Sequence, residues 1–189
     1  MPLLINSEEE ISQLIHTDSW MMDVLRAAES LNLADWWIGA GFLRNKVWNH
    51  IEGKESEQTR DVDLVYFSDA DTSQETDWAY DEKMNQEYSF AQWEVRNQAR
   101  MHYKNGFEPF TSTADGIAHW TETATAVAVR LRESKLEYLF CYGTDDLFNL
   151  VARPTPHCKT GAMLKVFQER INKKQWQQKW PDLQVAMDR

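Results

Sequence analysis

Two carboxylates that could bind a metal ion lie two residues apart in the segment RDVDLVYF. The segment is rich in β-branched and aromatic residues, which favour a strand, and in a strand Asp61 and Asp63 project from the same face. Adjacent carboxylates repel each other unless a cation, a proton or open water relieves the cost. Because magnesium is usually bound by one or two carboxylates together with substrate phosphates, the pair predicts a divalent metal site. A solvated strand end is the alternative interpretation.

A turn with two glycines precedes these acids. The segment WWIGAGFLRNKVW places Gly39, Ala40 and Gly41 between a short apolar strand and a helix. Such a turn lets backbone amides at the positive end of a helix approach an anion, which predicts phosphate binding. Arg44 and Lys46, one turn into the helix, are candidate phosphate partners. The alternatives are a turn that only lets strand and helix pack closely, and ordinary exposed helix cations.

A third carboxylate, Glu94, lies inside the strand candidate SFAQWEVRN. Trp93 and Val95 share one face of this strand, so Glu94 points to the opposite face. A carboxylate in mid-strand is depleted by propensity and costly to bury without a partner, which favours a functional role. An ion pair with Arg96 or Arg100 is the alternative.

Hydrophobic periodicity predicts the helices and strands that must hold these residues. The first predicted helix is short and begins at residue 7. Further helices are predicted at 20–31, 42–51, 78–88, 97–103, 121–131, 145–150 and 160–174. One predicted strand ends at the glycine turn, and others cover 60–67, 90–95 and 136–142. Polar connections are predicted at 53–59 and 68–76, and an extended link at 153–156.

The length and composition indicate one folded unit. With 189 residues, of which 42% are hydrophobic, the chain can bury one sizeable core. We expect an α+β fold in a single domain over residues 1–189, with a core at about 18–142 and a C-terminal helical part at about 143–189.

The charge and the cysteine content bound the partners and the compartment. A formal net charge of −10 argues against a long nucleic acid as a partner, because such binding relies on Lys and Arg. The chain has two cysteines, no basic signal-peptide start and no apolar run long enough to cross a membrane. We expect a cytoplasmic protein without a membrane partner, and the oligomeric state stays open.

The order of glycine turn, D-x-D strand and third acid resembles the nucleotidyltransferase superfamily of polymerase-beta type. More closely, the chain resembles a bacterial nucleotidyltransferase-like family. The segments that carry this resemblance are IGAGFLRNKVW, RDVDLVYF, WEVRNQARMH, TATAVAVRL, YGTDDLFNLVARPTP and a terminal motif from Lys165 to Trp176. The resemblance covers most of the chain from about Trp36 onward. It implies a core of a short mixed β-sheet flanked by helices, with helical N-terminal and C-terminal additions.

The resemblance also implies a chemistry and a set of site residues. Asp61 and Asp63 match the shared metal ligands, and Glu94 matches the third acid, which binds the metal nearer the acceptor and can receive its proton. The cofactor would be Mg²⁺ or Mn²⁺ and the substrate a nucleoside triphosphate. A nucleoside monophosphate would move to an unknown hydroxyl acceptor on a small molecule or a protein. Arg130, placed at the end of helix 121–131, could reach the bound nucleotide.

Two departures from the superfamily pattern keep other functions open. Ala40 stands where the turn usually offers a serine or a glycine, and the interval from Gly41 to Asp61 is longer than usual. Both favour the alternative of a catalytically inactive nucleotide-binding or regulatory protein with the same fold. A third hypothesis is a plain structural protein whose acids are solvated. Transfer onto a short RNA end also stays open, although the acidic charge disfavours a long nucleic acid.

Overall fold

The structure is a computed structural model that describes residues 4–54 and 59–187. Within these residues the helices are α1 (Glu8–His16), α2 (Ser19–Ser30), α3 (Gly41–Ile51), α4 (Gln74–Glu87), α5 (Gln98–Met101), α6 (Thr113–Ala118), α7 (Asp145–Phe148), α8 (Gly161–Lys174) and α9 (Trp176–Lys179), with a 3₁₀ turn at His102–Asn105. The strands are β1 (Trp37–Gly39), β2 (Asp61–Tyr66), β3 (Gln92–Asn97), β4 (Val127–Arg132), β5 (Lys135–Phe140), β6 (Val151–Ala152) and β7 (Gln184–Val185). This mixture confirms the α+β class.

The main sheet is mixed and, in the described part of the chain, has five strands in the order β3-β2-β1-β4-β5. The pair of β2 and β3 is parallel and is joined through α4, whereas the other neighbours are antiparallel. The parallel register places Asp61 opposite Gln92 and Asp63 opposite Glu94. The three predicted acids are therefore carried on two adjacent strands.

The two faces of the sheet are covered unequally. Val62 and Leu64 of β2 are buried in the large core that also contains Leu43 and Val47 of α3. Residues of the opposite parity face the other way, and there Val65 joins a much smaller cluster that includes Ile117 of α6. Because this second face is only partly covered, it leaves room for a cavity over the acids.

The C-terminal segment packs on helix α3 through a group of three tryptophans, Trp48, Trp176 and Trp180. Trp180 is 1% exposed, and its ring meets that of Trp48 edge-on, with centroids 4.9 Å apart. The indole N–H of Trp180 donates to Oδ1 of Asn49 at 2.9 Å, and that of Trp48 donates to the carbonyl of Leu147 at 2.9 Å. Both indole donors are therefore satisfied although the rings are buried.

The structure differs from two of the sequence expectations. The helix predicted at 121–131 is wrong, because residues 127–132 form strand β4, between β1 and β5, which carries Arg130. The polar connection predicted at 68–76 is shorter, since α4 begins at Gln74. Part of the connection predicted at 53–59 lies outside the described residues. In the described ranges, no helix is both long and apolar enough to cross a membrane.

Candidate active site

A cavity of about 510 Å³ lies over the sheet face that carries Asp61, Asp63 and Glu94. All three acids line it, together with Ala40 of the glycine turn. Its other walls come from α5, the 3₁₀ turn, α6, the segment before β4 and helix α8. The structure thus brings the predicted acids and part of the predicted turn to one place.

Asp63 is half-buried and lies among other carboxylates. It is opposite Glu94 in the parallel register, and Asp61 projects from the same face of β2. Burial first, and then the charges of Glu94 and Asp61, raise the pKa of the Asp63 carboxyl above its ordinary value. Arg44 and Arg170 oppose this shift more weakly. The site therefore concentrates negative charge that its nearby cations do not fully offset.

Glu94 has a protein partner in this structure. Its side chain is 56% exposed and forms an ion pair with Nη2 of Arg96 at 3.1 Å. Arg96 also binds Oδ2 of Asp81 at 2.8 Å. The alternative left open by the sequence, an ion pair with Arg96, is therefore present, while Arg100 pairs with the fully buried Asp77.

The fit of these acids to a metal ion is partial. Among residues 4–54 and 59–187, no group of three or more His, Cys, Asp or Glu side chains is arranged to hold a metal ion. Asp61 and Asp63 nevertheless offer the carboxylate oxygens that magnesium prefers, and the raised pKa of Asp63 indicates that a cation would be stabilising there. Glu94 has one oxygen, Oε1, in its ion pair with Arg96, so the metal would compete with Arg96 for this carboxylate.

The glycine turn has two different structural roles. A Cβ atom on Gly39 would lie 2.6 Å from Cη2 of Trp120, so Gly39 is required for the indole to pack on β1. The packing alternative therefore applies to Gly39. Ala40 has φ 56° and ψ −126°, a conformation that favours glycine, and it gives α3 no side-chain cap. The first amides of α3, beginning at Gly41, have no partners within the helix and lie next to Ala40.

Ala40→Gly is expected to stabilise the protein. A non-glycine residue at positive φ stores roughly 1–3 kcal/mol, part of which is offset by the greater freedom of glycine in the unfolded chain. We expect a gain of about 1 kcal/mol in the free energy of unfolding, measured by urea denaturation. The matched control is Ala79→Gly in the exposed middle of α4, which should lose about 1 kcal/mol. Equal losses in both variants would contradict strain at Ala40.

Arg44, predicted as a phosphate partner, is buried away from the cavity wall. Its Nη1 donates to Oγ1 of Thr125 at 2.7 Å. Its guanidinium lies 4.2 Å from the ring centroid of Trp176 and within 6 Å of those of Trp48 and Trp180. Burial lowers the pKa of Arg44 to about 10, so the side chain stays charged at neutral pH. The structure gives it a packing role beneath the site.

Lys46 and Arg130, the other predicted phosphate partners, are engaged elsewhere. Lys46 forms an ion pair with Asp18 at 2.8 Å. Arg130 lies on β4, pairs with Glu137 at 2.6 Å and covers the ring of Trp37 at 4.2 Å. Neither lines the cavity that contains the acids. Phosphate binding by these two residues stays a prediction that the structure does not support.

Several cavity residues were missed from the sequence. The missed charged residues are Lys104, Glu122, Arg170 and Lys174. The missed aromatic residues are Phe107, Phe110, His119 and Trp120. The ring of His119 stacks on that of His157 at 3.6 Å. The terminal motif from Lys165 to Trp176 contained a usable signal, because Arg170 and Lys174 share one face of a helix.

Comparisons with known proteins agree with this architecture. A solved NMR structure described as a CCA-adding enzyme head domain is 32% identical, with a TM-score of 0.87, and the match covers 96% of this chain and 97% of that one. The Thermotoga maritima CCA-adding enzyme complexed with tRNA is 13% identical, with a TM-score of 0.59 over 93% of this chain and 42% of that one. At that identity the likeness shows the fold alone.

No curated protein matches the chain. The head-domain structure nevertheless confirms the resemblance to a polymerase-beta-type fold that the sequence predicted. A family model described as nucleotidyltransferase matches residues 26–185. The match spans most of the chain, including both acid-bearing strands, the glycine turn and helix α8. The chain therefore belongs to the nucleotidyltransferase family.

Proposed function

We propose that this chain is a metal-dependent nucleotidyltransferase, which moves a nucleoside monophosphate from a nucleoside triphosphate to a hydroxyl acceptor. The observation that carries the proposal is the alignment of Asp63 with Glu94 on adjacent parallel strands, with Asp61 on the same face and all three at one cavity. Membership of the nucleotidyltransferase family supports the choice of substrate.

Asp61 and Asp63 would hold Mg²⁺ or Mn²⁺ together with phosphate oxygens, and Glu94 would complete the ligand set. When bound, the metal neutralises charge on the phosphates and favours attack on the α-phosphorus. The raised pKa of Asp63 supports this assignment, because the carboxylates there repel one another.

The chain's own residues would position the nucleotide and handle the proton. The first amides of α3, next to Ala40, offer hydrogen-bond donors to phosphate oxygens. Phe107, Phe110 and His119 give the cavity a wall of aromatic rings, on which a nucleobase can stack. In the transfer, a bond forms between the acceptor oxygen and the α-phosphorus as pyrophosphate leaves. The exposed Glu94 can take the acceptor's proton.

The acceptor that we propose is a hydroxyl on a small molecule or a protein. A short RNA end is a second candidate, because the 32% identical relative is described as a CCA-adding enzyme head domain. The acidic net charge of −10 weighs against an extended contact with RNA. The acceptor search therefore has to include small-molecule, protein and RNA fractions separately.

The test is a screen of the four labelled nucleoside triphosphates with magnesium and these three acceptor fractions. We expect pyrophosphate release and transfer of label to one fraction by the wild-type protein. Asp61→Ala should reduce both by more than about a hundredfold, beyond the loss typical for residues that only support metal ligands. Asp69→Ala, which removes an exposed loop carboxylate, should have no effect. Nucleotide binding without pyrophosphate release would favour the regulatory alternative.

A further inference from the structure

The cations of the cavity differ in how far they are already engaged. Arg96 is committed to Asp81 and Glu94. Arg170 and Lys174 lie four residues apart on α8, so both present the same helix face to the cavity. Within the described residues, the side chain of Lys174 makes no ion pair or hydrogen bond. These two side chains therefore bring positive charge to the wall of a cavity that also holds three acids.

Arg170 is held from one side and free on the other. Its Nε lies 2.7 Å from Oε1 of Glu122, whose side chain is fully buried. Its guanidinium also packs against the ring of Trp176, 5.6 Å from the centroid. In the described ranges, the two terminal nitrogens of Arg170 donate to no protein group. Arg170 is one-third exposed, so this free end of the guanidinium is accessible to a ligand.

Glu122 is a buried carboxylate that needs a cation beside it. Neither of its carboxylate oxygens has a hydrogen bond in the described part of the chain, although Oε1 is close to Arg170. A buried carboxylate without a cation is costly, so Glu122 strongly favours keeping Arg170 beside it. The pair thus fixes the guanidinium at the cavity wall and leaves its phosphate-binding edge unused.

We propose that Arg170 and Lys174 bind the polyphosphate of the nucleoside triphosphate, and that Glu122 is the residue that positions Arg170. A guanidinium matches phosphate oxygens with two parallel hydrogen bonds, and a lysine ammonium adds a point charge. The identity of the ligand rests on the proposed function. The phosphate-binding role thereby passes from Arg44, which is buried away from the cavity, to helix α8.

The test measures binding by titration calorimetry, with magnesium and an α,β-methylene nucleoside triphosphate that cannot be transferred. Arg170→Gln is expected to weaken binding by about 10- to 100-fold, the range for a lost charge-assisted hydrogen bond. Lys174→Gln should weaken it by about 3- to 10-fold. Lys173→Gln makes the same change one residue away, outside the cavity lining, and should leave the affinity unchanged within about twofold. The uncharged nucleoside should bind all four proteins equally.

Glu122→Gln separates positioning from general structural support. We expect it to lower triphosphate affinity in the wild-type background, and to have no further effect in an Arg170→Gln background. Additive losses would overturn the positioning role. Thermal unfolding confirms that each variant is folded, and Lys174→Gln, at an exposed position, keeps the test valid if Arg170→Gln does not fold.

The outcomes distinguish this inference from the proposed function. Unchanged affinity in both Arg170→Gln and Lys174→Gln, or no triphosphate binding by the wild-type protein, overturns the inference. Binding that depends on Arg170, in a protein that releases no pyrophosphate with any acceptor fraction, supports the inference and overturns the transferase activity instead.

Discussion

Asp63→Asn is expected to stabilise the metal-free protein at neutral pH and, at the same time, to abolish its response to magnesium and nucleotide. Burial and the charges of Glu94 and Asp61 raise the pKa of the Asp63 carboxyl. The folded state therefore holds this proton more tightly than the unfolded chain does, and ionisation of Asp63 costs stability. Asparagine keeps the shape of the side chain and removes that cost.

The pH dependence of the effect follows from the same shift. At a pH below the ordinary carboxyl pKa, Asp63 is protonated in both states, and the variant gains nothing from the lost charge. The gain develops as the pH rises through the interval between the ordinary and the raised pKa, and it is complete above that interval. Thermal unfolding of the metal-free variant across this range should show a higher melting temperature at pH 7 and convergence with the wild type in acid.

The loss of function is the larger of the two effects. A ligand at a hundred times its dissociation constant adds about 2.7 kcal/mol of stability to the wild-type protein. Asp63→Asn should lose this joint shift with magnesium and triphosphate, and should lower transfer by more than about a hundredfold. Asp69→Asn, in the exposed loop after β2, should retain both. A variant that keeps the full metal-dependent shift would remove Asp63 from the metal site.

Trp180→Ala should cause a large loss of stability, because this side chain anchors the C-terminal segment to α3. The indole is 1% exposed, packs edge-on against Trp48 and donates to Asn49. Replacing a buried tryptophan or phenylalanine by alanine typically costs about 3–5 kcal/mol through lost burial and the cavity left behind. Urea denaturation at 25 °C measures the change as a shift in midpoint.

The matched control is Trp78→Ala on α4, whose side chain is 54% exposed. We expect this variant to change the free energy of unfolding by less than about 0.5 kcal/mol. Trp180→Ala also tests the proposal that residues 1–189 form one domain. A single cooperative transition in the variant supports it, whereas separate unfolding of the residues after 143 would contradict it.

The acids were predictable because the relevant signals are local. Strand parity alone places Asp61 and Asp63 on one face, and it separates Glu94 from the buried Trp93. What the sequence could not provide is the pairing of the two strands. The parallel register that sets Asp63 opposite Glu94 depends on how α4 crosses between them, which is a property of the assembled sheet.

The helix prediction at 121–131 failed because the helical period and the strand period both fit a segment that is buried on every side. In β4, Val127, Ala128 and Val129 are all fully buried, so the strand shows no alternation of polar and apolar residues. An apolar run of this kind cannot be assigned by period alone. The β-branched valines at alternate positions were the signal that favours a strand.

The phosphate-binding side of the site was less accessible to sequence reasoning. Arg44 was assigned from its distance along the chain to the glycine turn, yet its side chain turns into the tryptophan group. Arg170 lies far along the chain from the acids and reaches the cavity only because α8 folds back over it. Its partner Glu122 lies in the segment 121–131, which was wrongly predicted to be a helix. Tertiary packing decided all of these placements.

The position of Trp176 gives the protein a built-in optical reporter. Its ring lies 4.2 Å from the guanidinium carbon of Arg44 and 5.6 Å from that of Arg170. Indole emission responds to nearby charge, so an anion arriving at Arg170 changes the field at the ring without touching it. Intrinsic fluorescence can therefore follow occupancy of the cavity in unlabelled protein. Because the chain has nine tryptophans, Trp176→Phe is the variant that identifies the part of the fluorescence change due to Trp176.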